Sequence, residues 1–166
     1  MPATPTVRSA TEADLPAITA VYNDAIRTTT ATFDTEEKSV DDRRRWLLQR
    51  DARHPVLVAE CEGRLAGFAA LSPWSDRCAY AATAENSVYV DEAWRSRGIG
   101  RALLAELLAA ARKAGLHTVI ARSAAGNPAS EALHRAAGFA HIGTMREVGL
   151  KFGRRLDVHL YQLVLA

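Results

Sequence analysis

The segment that indicates the fold most clearly reads Tyr89-Val90-Asp91-Glu92-Ala93-Trp94-Arg95-Ser96-Arg97-Gly98-Ile99-Gly100-Arg101 and continues into Ala102-Leu103-Leu104-Ala105-Glu106-Leu107-Leu108. This order of residues predicts a strand, a basic turn with two glycines, and the first turns of an amphipathic helix. Glycines let a backbone approach a ligand closely, and a helix start offers unpaired N–H groups at the positive end of the helix dipole. Arg95, Arg97 and Arg101 add positive charge around the same point. The segment therefore predicts a phosphate or pyrophosphate cradle.

Two common phosphate-binding loops do not fit this segment. The Walker A loop needs Gly-Lys-Ser/Thr at the helix start, whereas Gly100 is followed by Arg101 and Ala102. The dinucleotide-binding fingerprint needs a third glycine at the position of Leu103. The spacing Arg95-x-x-Gly98-x-Gly100 instead resembles the signature of the GCN5-related N-acetyltransferases (GNAT).

In the GNAT family this loop holds the pyrophosphate of acetyl-coenzyme A (acetyl-CoA), and the strand before it lines the thioester. The resemblance therefore implies acetyl-CoA as co-substrate, with a main-chain N–H of Val88 to Val90 as the oxyanion donor. The residues that it implies in cofactor binding, within the strand and the loop, are Val88, Tyr89, Val90, Arg95, Ser96, Arg97, Gly98, Ile99, Gly100 and Arg101.

A second segment, Asn127-Pro128-Ala129-Ser130 with Gly138-Phe139 after it, resembles the family's asparagine-x-x-serine and glycine-phenylalanine element. The resemblance implies that Asn127 and Ser130 contact coenzyme A. Asn127 before Pro128 would also suit the cap of a helix. His134 lies one helical turn after Ser130, and it is a candidate acid for the departing thiol.

Length and composition bound the remaining possibilities. The chain has 166 residues, 48% of them hydrophobic and 24% charged, which predicts one globular domain over residues 1–166. The net charge of +2 does not favour a nucleic-acid partner. No apolar stretch has the length of a membrane span, and the first residues do not resemble a signal peptide. Cys61 and Cys78 lack metal-ligand spacing. We therefore expect a cytoplasmic protein with no metal and no membrane partner.

The hydrophobic pattern predicts the order β-α-α-β-β-β-α-β-α-β-β, an α/β fold with a mixed sheet and helices on both faces. This order is that of the GNAT fold. Two helices are expected to start at the caps Thr11 and Ser39. The expected strands are Thr6–Ser9, Pro55–Glu60, Arg64–Leu71, Glu85–Val90, His117–Arg122, Phe139–Glu147 and Leu156–Leu165, and the other expected helices are Ile99–Ala114 and Pro128–Ala137.

Acetyl transfer to an amine needs a base near the amine, an N–H donor near the carbonyl oxygen and, optionally, an acid near the sulfur. Glu85 is the candidate base because it is a carboxylate at the start of an otherwise apolar strand. Strand alternation predicts that Glu85, Ser87 and Tyr89 lie on one side of this strand, opposite Asn86, Val88 and Val90.

Further segments resemble the phosphinothricin acetyltransferase group, which includes the methionine sulfoximine and methionine sulfone acetyltransferases. They are Ala31–Phe33, Pro73–Tyr80, Thr83–Glu85, Ser87–Val90 and Gly149–Asp157. The resemblance implies acetylation of the α-amino group of a small amino acid with a tetrahedral, oxygen-rich side chain. Arg77 is the candidate clamp for its carboxylate or phosphinate. The implied acceptor-binding residues are Phe33, Trp74, Ser75, Asp76, Arg77, Tyr80, Glu85, Asn86, Ser87, Lys151 and Phe152.

Enzymes of this group are usually homodimers, and Lys151–Asp157 would suit a shared edge. One departure concerns Ala81-Ala82, where close phosphinothricin enzymes carry a bulky aromatic residue. The smaller side chains predict a wider pocket, so methionine sulfoximine and sulfone rank equal with phosphinothricin. Three alternatives stay open: another amine as acceptor (a peptide N-terminus, a polyamine or an aminoglycoside), a non-catalytic acyl-CoA sensor, and a ping-pong enzyme with Cys78 as nucleophile.

Overall fold

Over the part of the chain that the structure describes, seven strands form a single mixed sheet that carries helices on both faces. The computed structural model of the protein describes residues 3–165. The strands are β1 (Thr6–Ser9), β2 (Val56–Cys61), β3 (Arg64–Pro73), β4 (Thr83–Val90), β5 (Thr118–Ala124), β6 (Ala140–Lys151) and β7 (Arg154–Val164). The helices are α1 (Leu15–Thr28), α2 (Val40–Leu48), α3 (Ile99–Lys113) and α4 (Pro128–Ala136). The predicted order of elements and the predicted fold class are confirmed.

The strands lie in the order β1-β2-β3-β4-β5-β7-β6. Neighbouring strands are antiparallel except β4 and β5, which are parallel. A parallel pair needs a crossover connection, and α3 provides it between β4 and β5. The start of α3 therefore lies at the end of β4, where the sequence predicted the cradle.

Local chemistry explains where the helices begin and end. Ser39 caps α2 in a reciprocal pair: the Asp42 N–H donates to Ser39 Oγ at 3.0 Å, and the Ser39 N–H donates to Asp42 Oδ2 at 2.8 Å. Gly115 and Gly138 follow α3 and α4 with φ of +73° and +94°, a conformation that glycine adopts without strain. These helix boundaries agree with the sequence prediction to within one or two residues.

The end of β6 differs from the prediction. The sequence predicted a strand end at Glu147, whereas the strand continues to Lys151. The reason is an irregularity between Met145 and Gly149, where Glu147 has φ of +52° and its N–H donates to Asp157 Oδ1 at 2.7 Å. Such a bulge interrupts the alternation of side chains, and the pairing with β7 then resumes.

The two faces of the sheet carry separate apolar cores. On one face, α3 packs against the central strands through Leu103, Leu104, Leu107, Leu108 and Ala111, which meet Ala69, Leu71, Ala84, Val119 and Ala121. On the other face, α1 packs through Ile18, Val21, Tyr22 and Ile26 against Val56, Val58, Phe68 and Ala70. We call these the α3 face and the α1 face.

The strands β4 and β5 separate after a short pairing. Their register contains Thr83–Thr118, Ala84–Val119 and Glu85–Ile120 and then stops, although β4 continues to Val90 and β5 to Ala124. β4 remains paired with β3 as far as Val90, and β5 remains paired with β7 as far as Ala124. In the described part of the chain, the edge of β4 over residues 86–90 therefore has no strand beside it. We call this gap the β4–β5 opening.

Gly67 of β3 packs against β4, the strand that borders this opening. Replacement of Gly67 tests how closely the two strands are packed. A Cβ at Gly67 would lie 2.6 Å from the Tyr89 carbonyl oxygen and 3.2 Å from Val90 Cα. Because these are backbone atoms, we expect Gly67→Ala to lower the free energy of unfolding by about 1–3 kcal/mol in chemical denaturation. Gly143→Ala is the control, since a Cβ there meets nothing within 4 Å, and its effect should stay within about 0.5 kcal/mol. Equal effects of both changes would contradict the packing argument.

Candidate active site

The turn before α3 has the backbone that a cradle needs. Gly98 is the N-cap of α3 with φ of +81°, and Ser96 has φ of +61°. A Cβ at Gly98 would meet nothing within 4 Å, so the requirement for glycine is the left-handed backbone and the space in front of it is open. A Cβ at Gly100 would make ordinary contacts with Leu133 and Val90, so the protein's own packing does not require glycine there. The first N–H groups of α3 point into this turn without intrahelical partners.

Positive charge surrounds the turn. The side chains of Arg95, Arg97 and Arg101 are exposed. Arg95 Nε donates to the Val90 carbonyl oxygen at 3.4 Å, which ties the turn to the end of β4. The Arg97 guanidinium lies 5.2 Å from the centre of the buried Trp94 ring. An exposed set of guanidinium groups at a helix N-terminus suits a pyrophosphate, as the sequence predicted.

Side chains of β4 alternate between the two faces as predicted. Tyr89 packs on the α1 face, with its ring stacked 5.3 Å from that of Phe68, and burial raises the pKa of Tyr89 to about 12. Val88 and Val90 pack on the α3 face. The Tyr89 side chain is therefore a neutral core group, and only its main chain can serve a ligand in the β4–β5 opening.

His134 is buried in a hydrogen-bonded contact between α4 and β4. Its side chain is only 5% exposed, Nδ1 lies 2.7 Å from the Ser130 carbonyl oxygen, and Nε2 lies 2.9 Å from Nδ2 of the buried Asn86. A carbonyl oxygen only accepts, so Nδ1 carries the proton and Nε2 accepts from Asn86; this tautomer is assigned from the partners. Burial lowers the pKa of His134. The acid role of His134 stays a prediction, and it would require a second proton on Nε2.

Asn127 caps α4, because its Oδ1 accepts the Ser130 N–H at 3.2 Å. The capping interpretation of Asn127 is therefore confirmed. The contact of Asn127 and Ser130 with coenzyme A stays a prediction, and it is compatible with the cap because the Asn127 side chain is partly exposed.

Glu85 lies where β4 and β5 separate, and it forms an ion pair that sequence reasoning missed. Arg122 of β5 donates from Nε to Glu85 Oε1 at 2.8 Å and from Nη2 to Glu85 Oε2 at 2.7 Å. The Glu85 side chain is 19% exposed and that of Arg122 is 51% exposed. The Arg122 guanidinium also lies 5.9 Å from the centre of the Trp74 ring. The available signal was a charged residue inside the otherwise apolar run of β5.

The loop between β3 and β4 holds four of the predicted acceptor-binding residues beside Trp74. The Trp74 N–H donates to the Thr83 carbonyl oxygen at 3.2 Å, which closes the loop at its base. A short 3-10 turn, Cys78–Tyr80, forms its far side. The residues that it carries are Ser75, Asp76, Arg77 and Tyr80, the last three of them exposed. The loop thus starts and ends next to the strand position of Glu85.

The loop between α1 and α2 is fixed to the end of β6. Lys151 is buried and its Nζ donates to the Thr32 carbonyl oxygen at 2.7 Å, and burial lowers the pKa of Lys151. The Phe33 ring lies against Gly149, where a Cβ would clash with the ring. Lys151 therefore holds the loop that carries Phe33, which is a structural task beside the predicted acceptor contact. Phe152 is exposed on the following turn.

Comparisons with known proteins agree with this geometry. The acetyltransferase (GNAT) family model matches residues 18–139. The L-methionine sulfoximine/L-methionine sulfone acetyltransferase of Pseudomonas aeruginosa is 41% identical over 159 residues, which cover 95% of this chain and 92% of that protein. The crystal structure of a Sinorhizobium meliloti phosphinothricin acetyltransferase in complex with acetyl-CoA has a TM-score of 0.94 at 36% identity, covering 98% of this chain and 89% of that one. The crystal structure of a Brucella melitensis ribosomal-protein-alanine N-acetyltransferase has a TM-score of 0.94 at 46% identity, covering 96% of this chain and 99% of that one.

The chain belongs to the acetyltransferase (GNAT) family. It is an N-acetyltransferase, and acetyl-CoA is its co-substrate. Among residues 3–165, no group of three or more histidine, cysteine, aspartate and glutamate side chains is arranged to hold a metal ion. None of the helices over the same residues combines the length and the apolar character that crossing a membrane requires.

The buried, neutral His134 predicts a pH dependence of stability. Its pKa is lowered in the folded chain, so below about pH 6.5, the ordinary histidine value, the unfolded chain binds more protons than the folded one. Stability from this group is therefore lost as the pH falls through that value. We expect the Tm of the wild type to fall more between pH 7.5 and pH 5.5 than the Tm of His134→Gln. The control His117→Gln, at an exposed histidine, should follow the wild type, and parallel curves for all three proteins would contradict the assignment.

Proposed function

We propose that this N-acetyltransferase acetylates the α-amino group of a small amino acid with a tetrahedral, oxygen-rich side chain. Phosphinothricin, methionine sulfoximine and methionine sulfone are the acceptors of this kind. The observation that carries the proposal is the partly buried Glu85 carboxylate at the start of the β4–β5 opening, beside the loop of Trp74 and Arg77. The names of the Pseudomonas and Sinorhizobium proteins support the same acceptor class.

The reaction forms an N–C bond and breaks the C–S bond of a thioester, and acetyl-CoA supplies the acetyl group. We propose that Glu85 takes the proton of the acceptor ammonium, directly or through water. A main-chain N–H of Val88 to Val90 donates to the carbonyl oxygen as it gains negative charge. The turn from Arg95 to Arg101 holds the pyrophosphate. A thiol has an ordinary pKa of about 8.5, so the leaving group needs little assistance, and His134 is the candidate acid for it.

Ala81 and Ala82 bear on the choice among the three acceptors. They end the loop that carries Arg77 and Tyr80, and Ala81 is exposed. Small side chains at this point leave room beside the loop. We therefore rank methionine sulfoximine and methionine sulfone equal with phosphinothricin.

A second candidate acceptor is the N-terminus of a peptide. The Brucella melitensis neighbour named ribosomal-protein-alanine N-acetyltransferase is 46% identical, which favours this candidate over a polyamine or an aminoglycoside. The α-amino group is common to both candidates. They differ in the carboxylate, which a free amino acid has and a peptide N-terminal residue lacks.

Three further properties belong to the proposal. The single seven-stranded sheet with its two cores supports one N-acetyltransferase domain over residues 1–166. We also propose a cytoplasmic homodimer. The support for the dimer is the edge strand β6, because a long edge with exposed apolar side chains tends to pair with another chain. These side chains, with that of the following turn, are Ile142, Val148, Leu150 and Phe152.

The acceptor class is tested by release of free thiol from acetyl-CoA with phosphinothricin, methionine sulfoximine, methionine sulfone, spermidine and a short peptide as acceptors. We expect activity with the three tetrahedral amino acids, and their order reports the effect of Ala81 and Ala82 on the pocket. Activity with the peptide alone would replace the proposal with the second candidate. No thiol release with any of the five, together with normal binding of acetyl-CoA, would refute the proposed acceptor class.

The base is tested by Glu85→Gln, which keeps the shape of the side chain and removes its charge. We expect kcat to fall by roughly 10²–10⁴-fold, the usual contribution of a positioned base. Glu106→Gln on the exposed side of α3 is the matched control and should leave kcat unchanged. If kcat of Glu85→Gln falls by less than about threefold at neutral pH, far below the contribution of a general base, Glu85 is not the base.

The dimer is tested by sedimentation of Leu150→Asp. Leu150 is 61% exposed on β6, and a charge there should weaken pairing of two β6 edges and shift the protein toward the monomer. Leu48→Asp is the control, since Leu48 is 66% exposed at the end of α2, away from that edge. A monomeric wild type would refute the dimer directly.

A further inference from the structure

The ion pair of Glu85 and Arg122 leaves half of the Arg122 guanidinium unused. The edge of the guanidinium formed by Nε and Nη2 donates both hydrogen bonds to Glu85. A guanidinium has five N–H donors, so both N–H bonds of Nη1 and one of Nη2 remain for another acceptor. Among residues 3–165, the Arg122 guanidinium makes no hydrogen bond other than the two to Glu85, and the side chain is 51% exposed. The second edge of the fork therefore faces water.

Three segments of the chain fix the position of this free edge. Arg122 lies two residues beyond Ile120, the last β5 residue that pairs with β4, and the partner of Ile120 is Glu85 itself. Alternation along β5 puts Arg122 on the side opposite Val119 and Ala121, which belong to the α3 core. Glu85 and Arg122 therefore share the α1 face, and Trp74 borders them from the β3–β4 loop. The free edge lies where the acceptor must meet Glu85.

We propose that the free edge of Arg122 binds the α-carboxylate of the acceptor, so that Glu85 and Arg122 together recognise a zwitterionic amino acid. This inference rests on the proposed function and deepens it, because it names the free carboxylate as a required part of the acceptor. A carboxylate matches the planar fork of an arginine with two parallel hydrogen bonds. With the carboxylate held there, the ammonium on the neighbouring carbon lies beside the Glu85 carboxylate that takes its proton.

Arg122 suits this task better than Arg77, the clamp that the sequence suggested. Arg77 is exposed on the loop, and over the described residues its hydrogen bonds are made by its main chain, to Ser75 Oγ at 3.3 Å and from the Tyr80 N–H at 2.9 Å. The Arg122 guanidinium is already oriented by Glu85 on one edge and by the Trp74 ring. A pre-oriented fork loses less conformational freedom on binding than a free one. Arg77 is then left to meet the sulfone, sulfoximine or phosphinate oxygens.

The experiment compares two acceptors that differ only at the group in question, L-methionine sulfone and its α-carboxamide. In Arg122→Gln we expect the KM for L-methionine sulfone to rise by about 10- to 100-fold, the range for a lost charge-assisted contact. The kcat/KM for the carboxamide should change much less, and the KM for acetyl-CoA should not change. Arg122→Lys should restore part of the loss because it keeps the charge without the fork.

Arg112→Gln, at an exposed arginine of α3, is the matched control and should leave both acceptors unaffected. An equal fall in kcat for the two acceptors in Arg122→Gln would mean that Arg122 only positions Glu85, and it would overturn the proposal. A selective loss in Arg77→Gln, with none in Arg122→Gln, would overturn it in favour of Arg77.

Calorimetric binding of the two acceptors in the presence of coenzyme A separates this inference from the proposed function. Binding of L-methionine sulfone that depends on Arg122, without turnover, would refute the proposed function and keep the carboxylate site. Turnover of L-methionine sulfone that does not depend on Arg122 would refute the carboxylate site and keep the proposed function. Binding of neither compound would refute both.

Discussion

The separation of β4 from β5 is the constraint on which the rest of the site depends. Two parallel strands are joined by evenly spaced hydrogen bonds between their edges. Between β4 and β5 this pairing stops after Glu85 and Ile120. β4 stays fixed by β3 and β5 by β7, so the gap is held open by the sheet on both sides. The helix that connects the two strands, α3, starts after the end of β4, and the N–H groups of its first turn have no intrahelical partners. One break in pairing thus produces the β4–β5 opening, with Glu85 at its start and the turn before α3 near its far end.

Successive side chains of β4 point to opposite faces of the sheet and make different contacts there. Asn86 points to the α3 face and meets His134, and Tyr89 points to the α1 face and joins Tyr22 and Phe68. The even-numbered side chains Asn86, Val88 and Val90 thus lie toward α3 and α4, whereas Glu85 lies on the opposite face. Asn86 Oδ1 is buried without a hydrogen-bond partner among the described residues. That orphaned oxygen follows from the donation of Asn86 Nδ2 to His134.

How much the sequence could predict depended on how local each feature is. The glycine turn before α3, the capping pair of Ser39 and Asp42, and the helix ends at Gly115 and Gly138 are each specified within a few neighbouring residues, and they were predicted. The end of β6 was not, because a bulge reverses the alternation that a strand prediction reads. Arg122 was missed because its partner lies 37 residues away and is selected by strand register. The hydrogen bond of the Lys151 ammonium to the Thr32 carbonyl oxygen was not predicted either, because 119 residues separate the two partners; the acceptor contact of Lys151 stays a prediction.

The contact of Phe33 with Gly149 has a consequence for how this protein can diverge. Residue 149 has no side chain, and the Phe33 ring fills the space where one would be. A side chain at position 149 therefore requires the Phe33 ring to move or to be replaced by a smaller residue, whereas position 33 can become smaller without a change on β6. Among homologues these two positions should covary, although the chain separates them widely. A designer who wishes to place a side chain at residue 149 of β6 has to redesign the α1–α2 loop together with the strand.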